Sequence, residues 1–202
     1  MIAIIDYGVG NLFSLHQSFL KIGADTVVTG DPAIIKSAER VILPGVGAYG
    51  EAAEKIKNSG LDKVVREIAS DGKPLLGICL GMQLLFEYGT EFGHNEGLGL
   101  LKGHVKTMRD EIGYGLKLPQ IGWNALNIKK QNKLFKYINN GDHVYFVHSY
   151  HAVDCNDSLI ATTEYGAEIT AAVARDNVFG CQFHPEKSGD VGLKILKGFL
   201  SL

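Results

Sequence analysis

Cysteine is scarce in this sequence, with three residues in 202, at Cys79, Cys155 and Cys181. No two of them have the CxxC spacing that is typical of structural zinc sites, and an odd number cannot all form disulfides. We therefore expect free thiols and no bound metal. Free thiols are typical of cytoplasmic proteins, where reductants keep cysteines reduced.

Net charge and long apolar runs are lacking as well. The chain has 20 basic and 22 acidic residues, a net charge of −2, which argues against a nucleic-acid-binding surface or a polybasic membrane patch. No apolar run approaches the roughly 20 residues that cross a bilayer, and residues 1–6 lack a basic leader. We therefore predict a cytoplasmic protein with no nucleic-acid and no membrane partner.

Short apolar runs alternate with amphipathic segments through the first half of the chain. We predict strands over residues 2–7, 25–29, 40–43 and 75–78, and helices over 12–22, 49–70 and 82–88. This alternation is typical of a parallel, doubly wound sheet. Continuous apolar runs are typical of strands that are buried on both faces.

The second half is richer in strands. We predict strands over residues 98–108, 121–128, 144–153, 159–165, 169–174 and 178–183, and a closing helix over 191–200. No Pro/Ser-rich linker separates the halves. The expectation is therefore one α/β domain, residues 1–202, with a mixed, mostly parallel central sheet flanked by helices.

Residues 77–86, GICLGMQLLF, place Cys79 where a predicted strand runs into a helix. Such a turn lifts the side chain out at the carboxyl end of the sheet, where open α/β folds bind ligands. Gly77 and Gly81 remove side chains that would crowd it, as in the G-x-S-x-G elbow of hydrolases. The N-terminus of the following helix favours a thiolate and can hold an oxyanion, so Cys79 is a candidate nucleophile. The alternative is a buried structural cysteine.

A base for this nucleophile is predicted in the segment HPE, which follows the apolar run 178–183. In extended backbone, residues i and i+2 point to the same side, so His184 and Glu186 would lie side by side. Glu186 would then orient the imidazole, as the acid does in nucleophilic triads. A surface turn is the alternative for this segment alone, but a triad explains it better once Cys79 is considered with it.

Two glycine-rich turns have different interpretations. PGVG, residues 44–47, lies beside the Cys79 strand if consecutive units are neighbours, and its N–H groups could supply a second oxyanion donor. The alternative is an ordinary strand-to-helix turn. GVGN, residues 8–11, lacks the third glycine of a dinucleotide-binding loop because position 13 is Phe, and no GxxxxGK[ST] loop is present. We therefore expect no nucleotide and no cofactor.

Together, GICLGMQLLF, PGVG and QFHPEKSG resemble the motifs of the class I glutamine amidotransferases. IDYGVGNLFS, LPQIGWN, YFVHSYHAV and the Lys-Ser after HPE are similar to one branch, the glutaminase subunits of imidazole glycerol phosphate synthase in histidine biosynthesis. The resemblance covers nearly the whole chain. It departs at Gln120-Ile121, where His-Met is usual, and at His151, where Tyr is frequent.

The resemblance implies hydrolysis of L-glutamine to glutamate and ammonia. Cys79 would attack the side-chain amide carbon, His184 would protonate the departing ammonia and activate water for the thioester, and Glu186 would hold His184. A separate cyclase subunit, in a heterodimer, would use the ammonia to make imidazole glycerol phosphate and an aminoimidazole carboxamide ribotide. By the same resemblance, the oxyanion hole would comprise Leu80, Val46 and Gly47, glutamine would bind to Gly47, Gln83, Glu91, His148, Ser149 and Tyr150, and the partner would contact Val9, Asn11, Trp123, Tyr145 and Lys187.

Several alternatives stay open. His148 lies in an apolar run and is the rival base, although a histidine there is more often a pocket residue, and we assign it to glutamine positioning. The chain as a whole could instead supply ammonia to a synthase that amidinates sugars. It could also be a Cys-His peptidase or a non-catalytic subunit of similar fold.

Overall fold

The computed structural model describes residues 1–202 as an alternation of strands and helices. The strands are β1 (Ile2–Ile5), β2 (Thr26–Thr29), β3 (Arg40–Leu43), β4 (Leu75–Ile78), β5 (Tyr88–Gly89), β6 (Asn95–Glu96), β7 (His104–Thr107), β8 (Gln120–Ala125), β9 (Asn127–Ile128), β10 (His143–His148), β11 (Tyr150–Val153), β12 (Leu159–Glu164), β13 (Glu168–Arg175) and β14 (Val178–Cys181). The helices are α1 (Leu12–Lys21), α2 (Pro32–Ser37), α3 (Tyr49–Asn58), α4 (Leu61–Ser70), α5 (Leu80–Gln83), α6 (Arg109–Ile112) and α7 (Gly189–Leu200). Short 3₁₀ helices cover Lys133–Phe135 and Pro185–Lys187. None of the helices is long and apolar enough to cross a bilayer.

An eight-stranded sheet in the order β2-β1-β3-β4-β14-β13-β12-β9 forms the centre of the fold. The first five strands of this order are parallel, and β13, β12 and β9 join antiparallel. The predicted mixed, mostly parallel sheet is therefore confirmed. In register, Leu43 lies beside Gly77, and Cys181 lies beside Ile78. The carboxyl ends of β3, β4 and β14 consequently meet at one edge of the sheet.

Both faces of this sheet are covered. Ala3 and Ile5 belong to one buried apolar cluster and Ile2 and Ile4 to a second. Because successive side chains of a strand point to opposite faces, the two clusters lie on the two sides of the sheet. This two-sided burial explains why the central strands read as continuous apolar runs.

Two predicted helices differ from the structure. Residues 49–70 form α3 and α4 rather than one helix, because Gly60 adopts a left-handed conformation with φ of +73°. The helix predicted over 82–88 is instead α5, which begins at Leu80 and ends at Gln83. The carbonyls of Leu84, Leu85 and Phe86 accept hydrogen bonds from residues 98–101, so they are not available to extend the helix.

Two short helices were not predicted at all: α6, which has four residues and none of them buried, and α2. α2 has six residues, and the Asp31 side chain caps it by accepting a hydrogen bond from the Ala33 amide at 2.8 Å. Its single buried residue, Ile35, leaves too little periodicity for a sequence pattern.

Three predicted strands of the second half also differ. The run 121–128 is divided at Leu126 into β8, which pairs with β10, and β9, which pairs with β12. Only His104–Thr107 is a strand within residues 98–108, since residues 98–101 wrap over the end of α5. The run 144–153 is broken at Ser149 into β10, which pairs with β8, and β11, which pairs with β7 in a separate four-stranded sheet. This break places the segment around Ser149 near the edge of the central sheet at which β3, β4 and β14 end.

Candidate active site

Cys79 lies on a sharp turn between β4 and α5. Its φ is +54° and its ψ −114°, a conformation that non-glycine residues rarely adopt and that costs about 1–3 kcal/mol. Two backbone hydrogen bonds hold it there: the Cys79 amide donates to the carbonyl of Cys181 at 2.8 Å, and the Cys79 carbonyl accepts from the amide of Gln83 at 3.1 Å. The sulfur is thus presented at the edge where β3, β4 and β14 end.

The glycines around Cys79 are required by close backbone packing. A Cβ at Gly77 would lie 2.7 Å from the carbonyl oxygen of Gly81, and a Cβ at Gly81 would lie 1.9 Å from the carbonyl oxygen of Leu43. Real Cβ atoms do not approach backbone this closely, so any side chain at either position would displace the turn. The sequence pattern that suggested an elbow therefore has a steric cause.

His184 and Glu186 are in contact. Nδ1 of His184 lies 2.8 Å from Oε1 of Glu186, and both side chains are almost fully buried. The reason given from the sequence was wrong, because β14 ends at Cys181 and residues 185–187 form a 3₁₀ turn. The two side chains meet across this turn, which His184 precedes, and not along an extended strand.

The surroundings of His184 favour its protonated form. Burial alone lowers the pKa of His184, but interaction with the Cys79 sulfur and with Glu186 outweighs it and raises the pKa to about 10. Nε2 of His184 is buried and has no aligned hydrogen-bond partner. The Cys79 sulfur and the Glu186 carboxylate both favour the charged imidazolium, the carboxylate through the 2.8 Å hydrogen bond.

A cavity of about 410 Å³ opens beside Cys79, within the size range of small-molecule sites. The structure brings all the residues predicted for the oxyanion hole and the glutamine site to this cavity. Its lining comprises Val46, Gly47, Cys79, Leu80, Gln83, Glu91, Pro119, Val147, His148, Ser149, Tyr150, His184 and Lys187.

The Pro44–Gly47 turn is packed directly on the Cys79 turn. A Cβ at Gly45 would lie 2.8 Å from the amide nitrogen of Gly81 and 2.9 Å from the hydroxyl of Tyr7. The Tyr7 hydroxyl donates a hydrogen bond to the carbonyl of Pro44 at 2.8 Å. The Pro44–Gly47 turn and the Cys79 turn are therefore adjacent, as predicted. Tyr7 fixes one end of the glycine-rich segment.

His148 differs from His184 in its partner and its charge. Its Nδ1 lies 2.8 Å from the backbone carbonyl of Tyr150, which can only accept, so Nδ1 carries the proton. Burial lowers the pKa of His148 to about 4, although the bond to Tyr150 opposes the shift. A neutral histidine with no carboxylate partner fits a positioning group better than a triad base.

Glu91 reaches the cavity from the loop after β5. Its Oε2 accepts a hydrogen bond from the amide of Tyr49, the first residue of α3, at 2.7 Å. The positive end of a helix stabilises a carboxylate at this position. The contact fixes an acidic group at the rim, where it can meet an ammonium group.

The residues predicted for a partner surface fall into two groups. Trp123 is 52% exposed and packs edge-to-face on Tyr145 at 6.0 Å, and Nζ of Lys187 lies 5.9 Å from the Tyr145 ring. Asn11 instead lies in a small cleft with Pro44 and Glu186, on another side of the catalytic groups. Val9 is half-buried against the apolar core.

Pro119 and Val147 line the cavity without having been predicted, and two polar residues beside the Cys79 turn were also not predicted, Tyr7 and Gln182. Gln182 is completely buried, and its Nε2 lies 3.7 Å from the sulfur of Cys79. The available signal was a polar residue within the apolar segment that leads into His184. The signal for Tyr7 was a tyrosine at the end of the first predicted strand, residues 2–7.

A second and larger depression, of about 810 Å³, lies over residues 128–140. Lysine and asparagine side chains dominate its lining, which contains no cysteine, histidine or acidic residue. It offers no nucleophile and no base, so the chemistry is expected at the Cys79 cavity.

Comparison with known proteins places this geometry in context. Residues 3–201 match the family model described as glutamine amidotransferase class-I. Imidazole glycerol phosphate synthase subunit HisH from Sulfurimonas denitrificans is 50% identical, over 98% of this chain and 97% of that protein. The protein of the same name from Caldanaerobacter subterraneus is 51% identical, over 98% of this chain and 97% of that protein. The protein of the same name from Wolinella succinogenes is 46% identical, over 100% of both chains.

Solved structures share the fold at much lower identity. A crystal structure titled glutamine amidotransferase has a TM-score of 0.77 at 16% identity and covers 100% of this chain and 98% of its own. PurLQS from Thermotoga maritima has a TM-score of 0.72 at 21% identity, with coverage of 99% and 97%. At these identities the likeness concerns the fold alone.

Proposed function

The chain belongs to the class I glutamine amidotransferases, and from this premise we propose that it is the glutaminase subunit of an imidazole glycerol phosphate synthase. It hydrolyses L-glutamine to glutamate and ammonia. A separate cyclase subunit receives the ammonia and makes imidazole glycerol phosphate and an aminoimidazole carboxamide ribotide. Residues 1–202 then form one amidotransferase domain, which acts in the cytoplasm.

One observation carries the proposal: a cysteine on a strained turn shares a cavity with a histidine that a buried glutamate holds. In the first step, the Cys79 thiolate attacks the side-chain amide carbon of glutamine. The amide nitrogen takes a proton from His184 and leaves as ammonia, and a thioester remains. Backbone N–H groups of Leu80 and of the Val46–Gly47 segment hold the oxygen that becomes negative.

Formation of the thioester changes the state of His184. His184 is neutral because its proton has left with ammonia. The sulfur no longer carries charge, so its contribution to the raised pKa of His184 is removed, and burial opposes renewed protonation. A neutral His184 can take a proton from water, which attacks the thioester and releases glutamate. The same residue therefore acts first as an acid and then as a base.

Three polar groups are placed to recognise glutamine. Glu91 presents a carboxylate to the α-ammonium group, while Gln83 and the segment around Ser149 offer hydrogen bonds from two further walls of the cavity. His148 fixes this segment through the carbonyl of Tyr150.

The cyclase is proposed to dock on two areas that border the site. One is the exposed Trp123 with Tyr145 and Lys187, and the other is the turn that includes Val9 and Asn11. Aromatic side chains of this kind are enriched at protein interfaces. Ammonia would leave the cavity through the area between them.

The test uses the full chain with a purified cyclase subunit. Cys79→Ser should abolish glutamate release, while synthesis from added ammonia persists in the complex. Cys155→Ala is the matched control, since Cys155 is buried in the core away from the cavity. Glutamate release at the wild-type rate by Cys79→Ser would refute the mechanism.

The same assays separate the alternatives. Glutamine hydrolysis without synthesis in the presence of the cyclase would indicate a different ammonia acceptor, such as a sugar-amidinating synthase. Peptide cleavage without glutamine consumption would indicate a peptidase. The absence of both glutamine hydrolysis and peptide cleavage would indicate a non-catalytic subunit.

A further inference from the structure

Gln182 has an environment that its place in the chain does not explain. It follows β14, its backbone amide donates to the carbonyl of Ala171 at 2.8 Å, and its side chain is completely buried. A buried carboxamide requires hydrogen-bond partners, or it destabilises the fold. Gln182 has two: its Oε1 lies 3.0 Å from Nε2 of Gln83, and its Nε2 lies 3.7 Å from the sulfur of Cys79.

The direction of these hydrogen bonds is fixed by a backbone group. Nε2 of Gln83 also donates to the carbonyl of Tyr150 at 3.0 Å. A carbonyl can only accept, so the atom of Gln83 that faces both partners must be its nitrogen. The atom of Gln182 that faces Gln83 must then be its oxygen, and its N–H₂ group is left facing Cys79.

A sulfur that accepts a hydrogen bond from this N–H group is stabilised more as a thiolate than as a thiol, because hydrogen bonds to a charged acceptor are stronger. The donor is neutral, so it does not change charge during the reaction and competes with neither role of His184. Because it is anchored through Gln83 to Tyr150, it also restricts the position of the sulfur.

We propose that Gln182 is a positioning residue that holds the Cys79 thiolate by a hydrogen bond oriented through the chain Tyr150–Gln83–Gln182. This rests on the proposed function in one respect, the use of Cys79 as the nucleophile. The chain of contacts also joins the glutamine-binding wall to the nucleophile without passing through His184 or Glu186.

The primary test is Gln182→Met, which retains similar volume and removes the donor. The rate of Cys79 alkylation by iodoacetamide is measured against pH, with mass spectrometry to separate Cys79 from the buried Cys155 and Cys181. We expect alkylation at neutral pH to fall about tenfold or more, the effect of one lost hydrogen bond to a charged group, and its pH midpoint to rise. Glutaminase kcat should fall with little change in glutamine KM.

Other titratable groups near the sulfur remain in the variant, so the change in midpoint can be attributed to Gln182. These groups are Tyr7, His184 and Cys181 beside Cys79, Glu186 behind His184, and Glu91, His148 and Lys187 across the cavity. Gln131→Met, at an exposed glutamine, is the matched control and should leave the alkylation profile unchanged.

A second variant tests the same hydrogen bond by a different chemical change. Gln182→Glu keeps an acceptor toward Gln83 but replaces the N–H with a group that is negative when ionised. Its alkylation midpoint should rise further than that of Gln182→Met. An alkylation profile that is unchanged in a folded Gln182 variant would overturn the proposal. Alkylation does not require glutamine, so a wild-type chain that fails to hydrolyse glutamine would refute the proposed function and leave this test intact.

Discussion

Two histidines share one cavity and have opposite charge states. The pKa of His184 is raised to about 10, against the effect of burial, by Cys79 and Glu186, while burial lowers the pKa of His148 to about 4. At neutral pH the cavity therefore has a single imidazolium, and it is the one that a carboxylate holds. This difference supports the proposal that His184 transfers protons and that His148 positions the substrate.

Replacement of these residues should separate their roles. His184→Ala should lower kcat about 10²–10⁴-fold, the usual contribution of a positioned acid–base group. Glu186→Gln should cost less, because it only orients the imidazole. Steady-state glutamate release measures both. If His148→Ala lost more kcat than His184→Ala, with glutamine KM unchanged, the assignment of the base would be wrong.

The buried, neutral His148 should also make the fold sensitive to acid. An unfolded histidine has a pKa of about 6.5, and the folded value is about 4, so the unfolded chain binds more protons between these pH values. The contribution of His148 to the free energy of unfolding is therefore fully present above about pH 6.5 and is lost as pH falls toward 4. Urea unfolding at several pH values should show that the free energy of unfolding falls less with acid in His148→Gln than in the wild type.

The exposed His143 offers a control for this experiment, since His143→Gln should retain the wild-type acid sensitivity. Burial lowers the pKa of His151 as well, so part of the sensitivity should survive in His148→Gln. An identical pH dependence in His148→Gln and the wild type would contradict the prediction.

At the scale of the elements, the Pro44–Gly47 turn has no room for a side chain at Gly45. Gly45→Ala would place a Cβ against the Gly81 amide and the Tyr7 hydroxyl, and the backbone atom cannot move aside. We expect a stability loss of about 1–3 kcal/mol and, if an oxyanion donor is displaced, a fall in kcat of about 10²–10³. Thermal unfolding and glutamate release measure the two effects.

Gly115→Ala is the matched control, because a Cβ there meets nothing within 4 Å and the backbone is not left-handed. The two variants differ in surroundings and not in chemistry. Equal behaviour of the two would show that the Pro44–Gly47 turn can shift without loss.

How far the elements could be predicted depends on whether their causes are local. The strands over 40–43 and 75–78 were predicted with their observed bounds, since each is a short run between turns that is apolar apart from Arg40. The short α5 and the break at Ser149 were not, because residues 98–101 and the separate partners of β10 and β11 decide them. Cys79, His184 and Glu186 were identified as site candidates from glycine spacing and the HPE segment. Gln182 could be identified only from the tertiary structure, which brings Gln83 and Cys79 to its side chain.

At the scale of the whole molecule, the isolated chain should be a poor glutaminase. Glycines on both sides of Val46 allow a peptide group to rotate, and Gly47 already has a φ of +97°. A cyclase that contacts the neighbouring residues 8–11 and Lys187 would favour the orientation that directs an N–H at the oxyanion. We expect kcat to rise by about 10²–10³ with the cyclase and an analogue of its substrate, with little change in glutamine KM.

Three conditions measure this activation: the chain alone, the chain with cyclase, and the complex with the substrate analogue. Equal kcat values in all three would refute a switch in the turn. A change confined to KM would place the effect in glutamine binding instead of the transition state.

The position of β14 between β4 and β13 has a consequence for biosynthesis of the protein. A ribosome releases β4 and Cys79 long before residues 178–181, yet β14 pairs with β4, and the segment that follows β14 carries His184, the proposed base. Nascent chains should therefore have an open, apolar strand edge that invites aggregation, and a thiol with no acid or base. With the cyclase and an analogue of its substrate added, glutaminase activity and protease resistance should appear together, only after residue 186 has emerged, which stalled ribosome complexes of graded length can measure.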